Sequence, residues 1–121
     1  MSDDLTREII RAAFVVSNTL GAGFLEKVYE NALAHELRTS GLQVKQQSPI
    51  AVYYDGIMVG DYYADLVVEG KIIIELKAAK GIEDLHLAQC INYLKATGLK
   101  VGLILNFGRP KVQIKRVVND Y

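Results

Sequence analysis

The chain has 121 residues, half of them hydrophobic and 23% charged, which is typical of a single globular domain, expected here over residues 1–121. The 14 basic and 14 acidic residues give a formal net charge of zero, so charge alone does not mark the whole chain as a nucleic-acid-binding protein. Residues 1–4 do not begin a signal peptide and no apolar run approaches roughly 18 residues, so we expect a soluble, cytoplasmic protein with no membrane association.

The charge is unevenly distributed along the chain. Residues 1–75 contain 6 Lys/Arg and 11 Asp/Glu, a balance of −5, whereas residues 76–121 contain 8 and 3, a balance of +5. A polyanion would therefore meet the C-terminal part first, unless those lysines form only a solvated surface. The single Cys90 cannot form an internal disulfide, and with only two histidines present we expect no zinc site.

Apolar residues at helical spacing predict two helices in the first third of the chain, over residues 4–20 and 24–39. Gly21 and Gly23 separate the two helices, and a further glycine at 41 ends the second. In the second helix we expect Leu25 and Val28 to face inward.

The rest of the chain is mostly strand-like, with one more helix. Apolar and alternating segments predict strands over 43–47, 50–54, 62–68, 71–77, 100–107 and 111–118. The third helix covers residues 84–97, with Asp84 as its N-cap and Gly98 as its end. Because strands joined through a helix run parallel with a right-handed crossover, this order predicts an α/β fold whose mixed β-sheet is flanked by helices on both faces.

Charged residues occur in the middle of two of these apolar strands. Strand alternation places Glu75 and Lys77 on one face. If the preceding turn is centred on Gly70, Asp65 lies opposite Glu75 with Cβ atoms roughly 4.5–5.5 Å apart. Two carboxylates this close repel unless a cation lies between them, which indicates a divalent-metal site with a lysine beside it to stabilise an anion. The alternative is a buried salt-bridge set of the same three residues.

The third helix carries Gln89 and Tyr93 one turn apart on a single face. Such a pair either touches a substrate or satisfies hydrogen bonds in the core.

An aspartate on one strand, Glu-x-Lys on the next and Gln-x-x-x-Tyr on the following helix together resemble the PD-(D/E)XK nuclease superfamily, in particular its RecB-like branch. The segment Gly-Phe-Leu-Glu-Lys-Val-Tyr at 23–29 resembles the Gly-x-x-Glu-x-x-Tyr signature of the GxxExxY protein family. Further matching segments are 64–68, 74–78, 86–89, 92–99 and 102–108. Ala64 precedes the aspartate where the superfamily commonly has proline. The resemblance implies a restriction-endonuclease-like core.

The resemblance also implies a magnesium-dependent nuclease that hydrolyses nucleic-acid phosphodiester bonds through a metal-activated water. Mg²⁺ or Mn²⁺ would be held by Asp65, Glu75, the carbonyl of Leu76 and Glu26. Lys77 would orient the water or stabilise the charge of the reacting phosphate. The catalytic set that the resemblance implies is Glu26, Asp65, Glu75, Lys77, Gln89 and Tyr93.

Other interpretations of these residues stay open. Glu26 could simply favour the positive end of its helix, worth roughly 0.3–1 kcal/mol. Tyr29 fits a core residue with a polar tip better than a ligand. We expect nucleic acid as the partner, DNA before RNA, while a protein partner and a homodimer are left open. The alternative functions are a catalytically silent nuclease-fold module that binds nucleic acid or protein, and an assembly protein whose charged site is only structural.

Overall fold

The computed structural model describes residues 2–119. Its elements, in chain order, are α1 (Ser2–Leu20), α2 (Glu26–Thr39), β1 (Val44–Tyr54), β2 (Ile57–Val68), β3 (Ile72–Lys77), α3 (Asp84–Thr97), β4 (Val101–Asn106) and β5 (Gln113–Val118). The bounds of α3 agree with the prediction. The two segments predicted over 43–54 form one continuous strand, because Pro49 lies on an edge strand, where its missing N–H need not join a ladder.

The five strands form one mixed sheet in the order β1-β2-β3-β4-β5. Strands β1, β2 and β3 form an antiparallel meander, and β5 pairs antiparallel with β4. Strands β3 and β4 are parallel because the chain returns through α3. The predicted mixed α/β sheet is therefore confirmed.

Helices cover both faces of this sheet, as predicted. Helices α1 and α2 pack on one face, where Ile9 and Leu33 belong to the same buried core cluster as Ile74. On the opposite face, α3 packs close to β4. A Cβ atom at Gly102 would lie 2.6 Å from the Cys90 sulfur, so the bare glycine permits this approach. This packing sets the distance of α3 from the sheet.

Two local predictions were wrong. Leu25 is 80% exposed and Val28 is also exposed, because α2 begins only at Glu26 and turns a different stripe toward the core. Glu83, with extended backbone, is the N-cap of α3, whereas Asp84 is already its first helical residue. The backbone N–H of Glu83 donates to Nδ1 of His86 at 3.0 Å, so His86 helps to close this helix start.

Candidate active site

The site lies where the pairing of β2 with β3 ends. The ladder runs from Val68↔Ile72 to Leu66↔Ile74, and one further step along the same register places Asp65 opposite Glu75. Gly70 lies at the centre of the turn with a positive φ of 63°. The predicted register across this hairpin is therefore confirmed.

Side chains replace the backbone ladder at this point. The Glu75 carboxylate accepts a hydrogen bond from the Asp65 N–H at 3.1 Å, and the Asp65 carboxylate accepts one from the Leu76 N–H at 2.8 Å. Each acid thus satisfies a backbone donor of the opposite strand, which an ended ladder would otherwise leave without a partner. The two carboxylates are held in place as the strands separate.

Burial makes both carboxylates hard to ionise. Glu75 is only 6% exposed, and burial, together with the charge of Asp65, raises its pKa to about 8, although Lys77 acts in the opposite direction. Burial is also the main cause that raises the pKa of Asp65. Neither acid takes part in an ion pair with any residue between 2 and 119. This geometry contradicts the alternative of a buried salt-bridge set.

Lys77 ends β3 two residues after Glu75. Its backbone carbonyl accepts the N–H of Phe107 at 2.8 Å, which ties the end of β3 to the residue after β4. The side chain is half-buried, and its positive charge favours ionised Glu75. The ammonium group therefore acts electrostatically on Glu75 without forming an ion pair with it.

Glu26 is brought to the same end of β3 from the start of α2. Its carboxylate accepts a hydrogen bond from the Ala78 N–H at 3.2 Å, and its charge contributes to the raised pKa values of Asp65 and Glu75. Favourable placement at a helix start is therefore not the whole account of Glu26, because its side chain also contacts the residue that follows β3. That Glu26 completes or orients a metal site with the strand acids stays a prediction.

Tyr29 explains how the loop before α2 is held. The fully buried hydroxyl donates to the Gly21 carbonyl at 2.6 Å and accepts the Phe24 N–H at 3.2 Å. Its ring stacks on Phe107, with centroids 4.7 Å apart and planes 8° from parallel. Gly23 has a φ of 117°, which an L side chain rarely adopts. The interpretation of Tyr29 as a core residue is confirmed, and its contacts help to place Glu26.

Glu30 is an acidic neighbour that sequence reasoning missed. It lies one helical turn after Glu26 and is only 4% exposed. Its carboxylate accepts hydrogen bonds from Gln47 at 2.9 Å, Gln46 at 2.7 Å and Lys27 at 3.1 Å. Gln47 also lies 3.4 Å from the Asp65 carboxylate, and the Glu30 charge raises the pKa of Asp65. The i, i+4 spacing of the two glutamates was the available sequence signal.

The donor set of the two opposed acids fits a hard cation. Asp65 and Glu75 offer carboxylate oxygens in a buried place where ionisation is disfavoured, which is the chemistry that Mg²⁺ or Mn²⁺ would relieve. Within residues 2–119, however, no three His, Cys, Asp or Glu side chains lie close enough together to hold a metal in this conformation. Glu26 contacts a backbone N–H instead, and the contact of Leu76 with these acids is through its N–H.

Gln89 and Tyr93 lie on one face of α3, as predicted, and contact each other. The Gln89 amide donates to the Tyr93 hydroxyl at 3.1 Å. Burial, followed by the charge of Glu75, raises the pKa of Tyr93. Both residues line an open cleft of about 940 Å³ between α3 and the β1–β2 pair, and Lys77 lines the same cleft. The structure therefore brings Lys77 of β3 to one cavity with Gln89 and Tyr93 of α3.

No helix in the described part of the chain has the length and apolar character to cross a membrane.

Comparison with known proteins supports the fold. A search of curated proteins finds no significant match. Among solved structures, SSO0001 has a TM-score of 0.57 and 16% identity over 79% of this chain, and the chain spans about half (51%) of that protein. An alkaline exonuclease (LHK-Exo) from Laribacter hongkongensis has a TM-score of 0.57 and 14% identity, covering 91% of this chain and 68% of that one.

A family model describes nearly the whole sequence. The model of the PD-(D/E)XK nuclease superfamily matches residues 3–117. This match agrees with the restriction-endonuclease-like arrangement of a five-stranded mixed sheet and three helices. The chain belongs to the PD-(D/E)XK nuclease superfamily.

Proposed function

We propose that the protein is a metal-dependent nuclease that hydrolyses phosphodiester bonds of nucleic acid, with DNA as the preferred substrate. The observation that carries this proposal is the opposed pair of buried acids, Asp65 and Glu75, at the point where two strands separate, with Lys77 on the same strand as Glu75. We place the chain in the RecB-like branch and the GxxExxY family, because Glu26 and Tyr29 connect the start of α2 to this site. Residues 1–121 would form one nuclease-like domain.

Asp65 and Glu75 would hold Mg²⁺ or Mn²⁺ through their carboxylate oxygens. Glu26 and the Leu76 carbonyl would complete the ligand set, which requires Glu26 to exchange its hydrogen bond with Ala78 for the ion. The chemistry supplied by such an ion is polarisation of a phosphoryl oxygen and acidification of water. By binding the ion, the acids would hold it at the end of β3.

The remaining side chains would act on the substrate. Lys77 would place its positive charge where negative charge develops on the reacting phosphate. Gln89 and Tyr93, already joined by a hydrogen bond, would position that phosphate from the opposite wall of the cleft. The three side chains line one cavity, which supports their acting on one ligand.

The test is cleavage of labelled single- and double-stranded DNA and RNA in Mg²⁺, in Mn²⁺ and in EDTA, with metal binding followed by calorimetry. Glu75→Gln should abolish metal-dependent cleavage and weaken metal binding. Asp61→Asn is the matched control, because this acid lies on β2 but is exposed, and it should behave as wild type. Cleavage that persists in Glu75→Gln, or in EDTA, would contradict the proposal.

The second candidate function is a catalytically silent module with the same fold. The hydrogen bond from the Ala78 N–H to Glu26 favours it, because Glu26 is occupied there and a three-acid metal site is not assembled among residues 2–119. Nucleic-acid binding without cleavage in either metal would support this function over the first.

A further inference from the structure

We propose that the cleft beside Lys77 binds single-stranded nucleic acid, with bases stacked on Tyr62 and Tyr53 and phosphates facing Lys77 and Lys95. This inference rests on the proposed function for the identity of the ligand, and it adds the strand state. It also assigns a binding surface to a part of the molecule outside the two acids.

The cleft has one wall made by an extension of the sheet. The pairing of β2 with β3 stops at Leu66, whereas β1 and β2 remain paired as far as Tyr54↔Ile57. We call this two-stranded extension, residues 48–54 and 57–64, the arm. Ile50 and Ala64 pack in the same cluster as Leu94 of α3, so the base of the arm is anchored against that helix. The open space between the arm and α3 is the cleft of about 940 Å³.

The charge of the cleft favours an anionic ligand. Lys77 and Lys95 line it, and no Asp or Glu among the described residues does so. The formal charge of the whole chain is zero, so this all-positive lining is a local feature. Two lysines of one sign along a groove attract a phosphate backbone without reading its sequence.

Two of the three tyrosines that line the cleft, Tyr62 and Tyr53, are exposed, and Tyr62 is also held in place by its neighbours. Tyr62 is 47% exposed and Tyr53 is 65% exposed. The Tyr62 ring contacts Tyr93, with centroids 5.7 Å apart and planes at 46°. The same ring covers Gly60, where an added Cβ would lie 2.9 Å from its Cε2 atom. Tyr62 is therefore supported by α3 and by its own strand while almost half of its surface stays open to a ligand.

This combination selects unpaired bases over a duplex. An exposed aromatic ring beside a basic groove gains stacking energy from any unstacked base, whatever its sequence. In a duplex the base faces are already stacked on each other, so tyrosine rings would gain little while the lysines would still meet phosphates. A single strand along the arm would reach Lys77, and hence the end of β3 where the two acids lie.

The experiment measures binding separately from cleavage. Fluorescence anisotropy in EDTA and low salt would compare a labelled oligothymidylate with a duplex of the same length. We expect single-strand binding at least tenfold tighter than duplex binding. Tyr62→Ala and Tyr53→Ala should each weaken single-strand binding about tenfold, whereas Tyr62→Phe should retain it because stacking does not need the hydroxyl.

The matched control is Tyr63→Ala. Tyr63 is 51% exposed and adjacent to Tyr62, but it points to the other side of the strand and does not line the cleft. This variant should bind the single strand as wild type does. Melting curves of all variants would show that they are folded, and Tyr53→Ala, at a more exposed position, tests the inference even if Tyr62→Ala unfolds.

The possible outcomes distinguish the two proposals. Tight single-strand binding that depends on Tyr62 or Tyr53, without cleavage in metal, would support this inference and overturn nuclease activity. Cleavage together with equal or tighter duplex binding would overturn this inference alone. Loss of binding in Tyr63→Ala equal to that in Tyr62→Ala, or no oligonucleotide binding at all, would also overturn it and leave the arm as a surface for a protein partner.

Discussion

Glu75 should make the metal-free protein less stable as pH rises. An ordinary glutamate has a pKa of 4.5, and burial raises that of Glu75 to about 8. Between these two values the folded state binds more protons than the unfolded state, so the free energy of unfolding falls with increasing pH. The stabilisation that protonated Glu75 contributes is complete below about pH 4.5 and is lost once the pH has passed 8.

The size of this effect follows from the shift. At about 1.4 kcal/mol for each pKa unit, ionising Glu75 in the folded protein would cost up to about 5 kcal/mol. Relaxation and water entry reduce the cost of a buried charge, so we expect a measured loss of about 2–4 kcal/mol. Glu75→Gln is neutral at every pH and retains an oxygen that can accept the Asp65 N–H. The variant should therefore be the more stable protein at pH 8 and should differ little from wild type at pH 4.5.

Urea unfolding in EDTA at several pH values between 4.5 and 8.5 would measure this difference, with Asp61→Asn as a control that should follow wild type. Adding Mg²⁺ or Mn²⁺ at pH 8 should raise the free energy of unfolding of the wild-type protein, because a ligand that binds only the folded state stabilises it. The same addition should leave the free energy of unfolding of Glu75→Gln unchanged. Parallel pH profiles for wild type and Glu75→Gln would refute the reasoning, since they would show that Glu75 titrates normally.

Other substitutions separate catalysis from folding. Lys77→Ala should slow cleavage at least tenfold while calorimetric metal affinity changes little, and equal rates would remove Lys77 from the mechanism. Gln89→Ala should slow single-turnover cleavage tenfold or more, about 1.4 kcal/mol in the barrier, with little change in Tm, whereas a large fall in Tm alone would make it a structural residue. Lys95→Ala should weaken oligonucleotide binding and reduce its salt dependence, and a salt-independent affinity would contradict phosphate contact.

The parts of the fold that sequence predicts well have strong local signals. Helix α3 could be placed over 84–97 because Gly98 ends it in a left-handed conformation and its packing residues recur at helical spacing. The opposition of Asp65 and Glu75 could be predicted because a turn centred on Gly70 determines which residues face each other. Both inferences used residues close together in the chain.

The parts that could not be predicted depend on contacts between distant segments. Glu30 contacts Gln47, which lies 17 residues later in the chain. Gln47 has a φ of 54°, a backbone conformation that a glutamine in the sequence does not predict. The predicted strand over 62–68 is too short, since β2 begins at Ile57. Residues 57–61 show no clear alternation of buried and exposed positions. The prediction of which residues of α2 face inward was partly wrong, because the loop before this helix, held by Tyr29, determines where the helix begins.

The site and the arm have a common structural origin in the early end of the β2–β3 ladder. The pairing of β2 with β3 stops at Leu66, and beyond it the N–H groups of Asp65 and Leu76 donate to the Glu75 and Asp65 carboxylates instead of to backbone carbonyls. Because the strands separate, the acids accept these hydrogen bonds while β2 continues with β1 into the arm. The same separation opens the cleft in which Lys77 lies. In this chain, one local change in sheet pairing therefore places the two strand acids beside a basic, aromatic cleft.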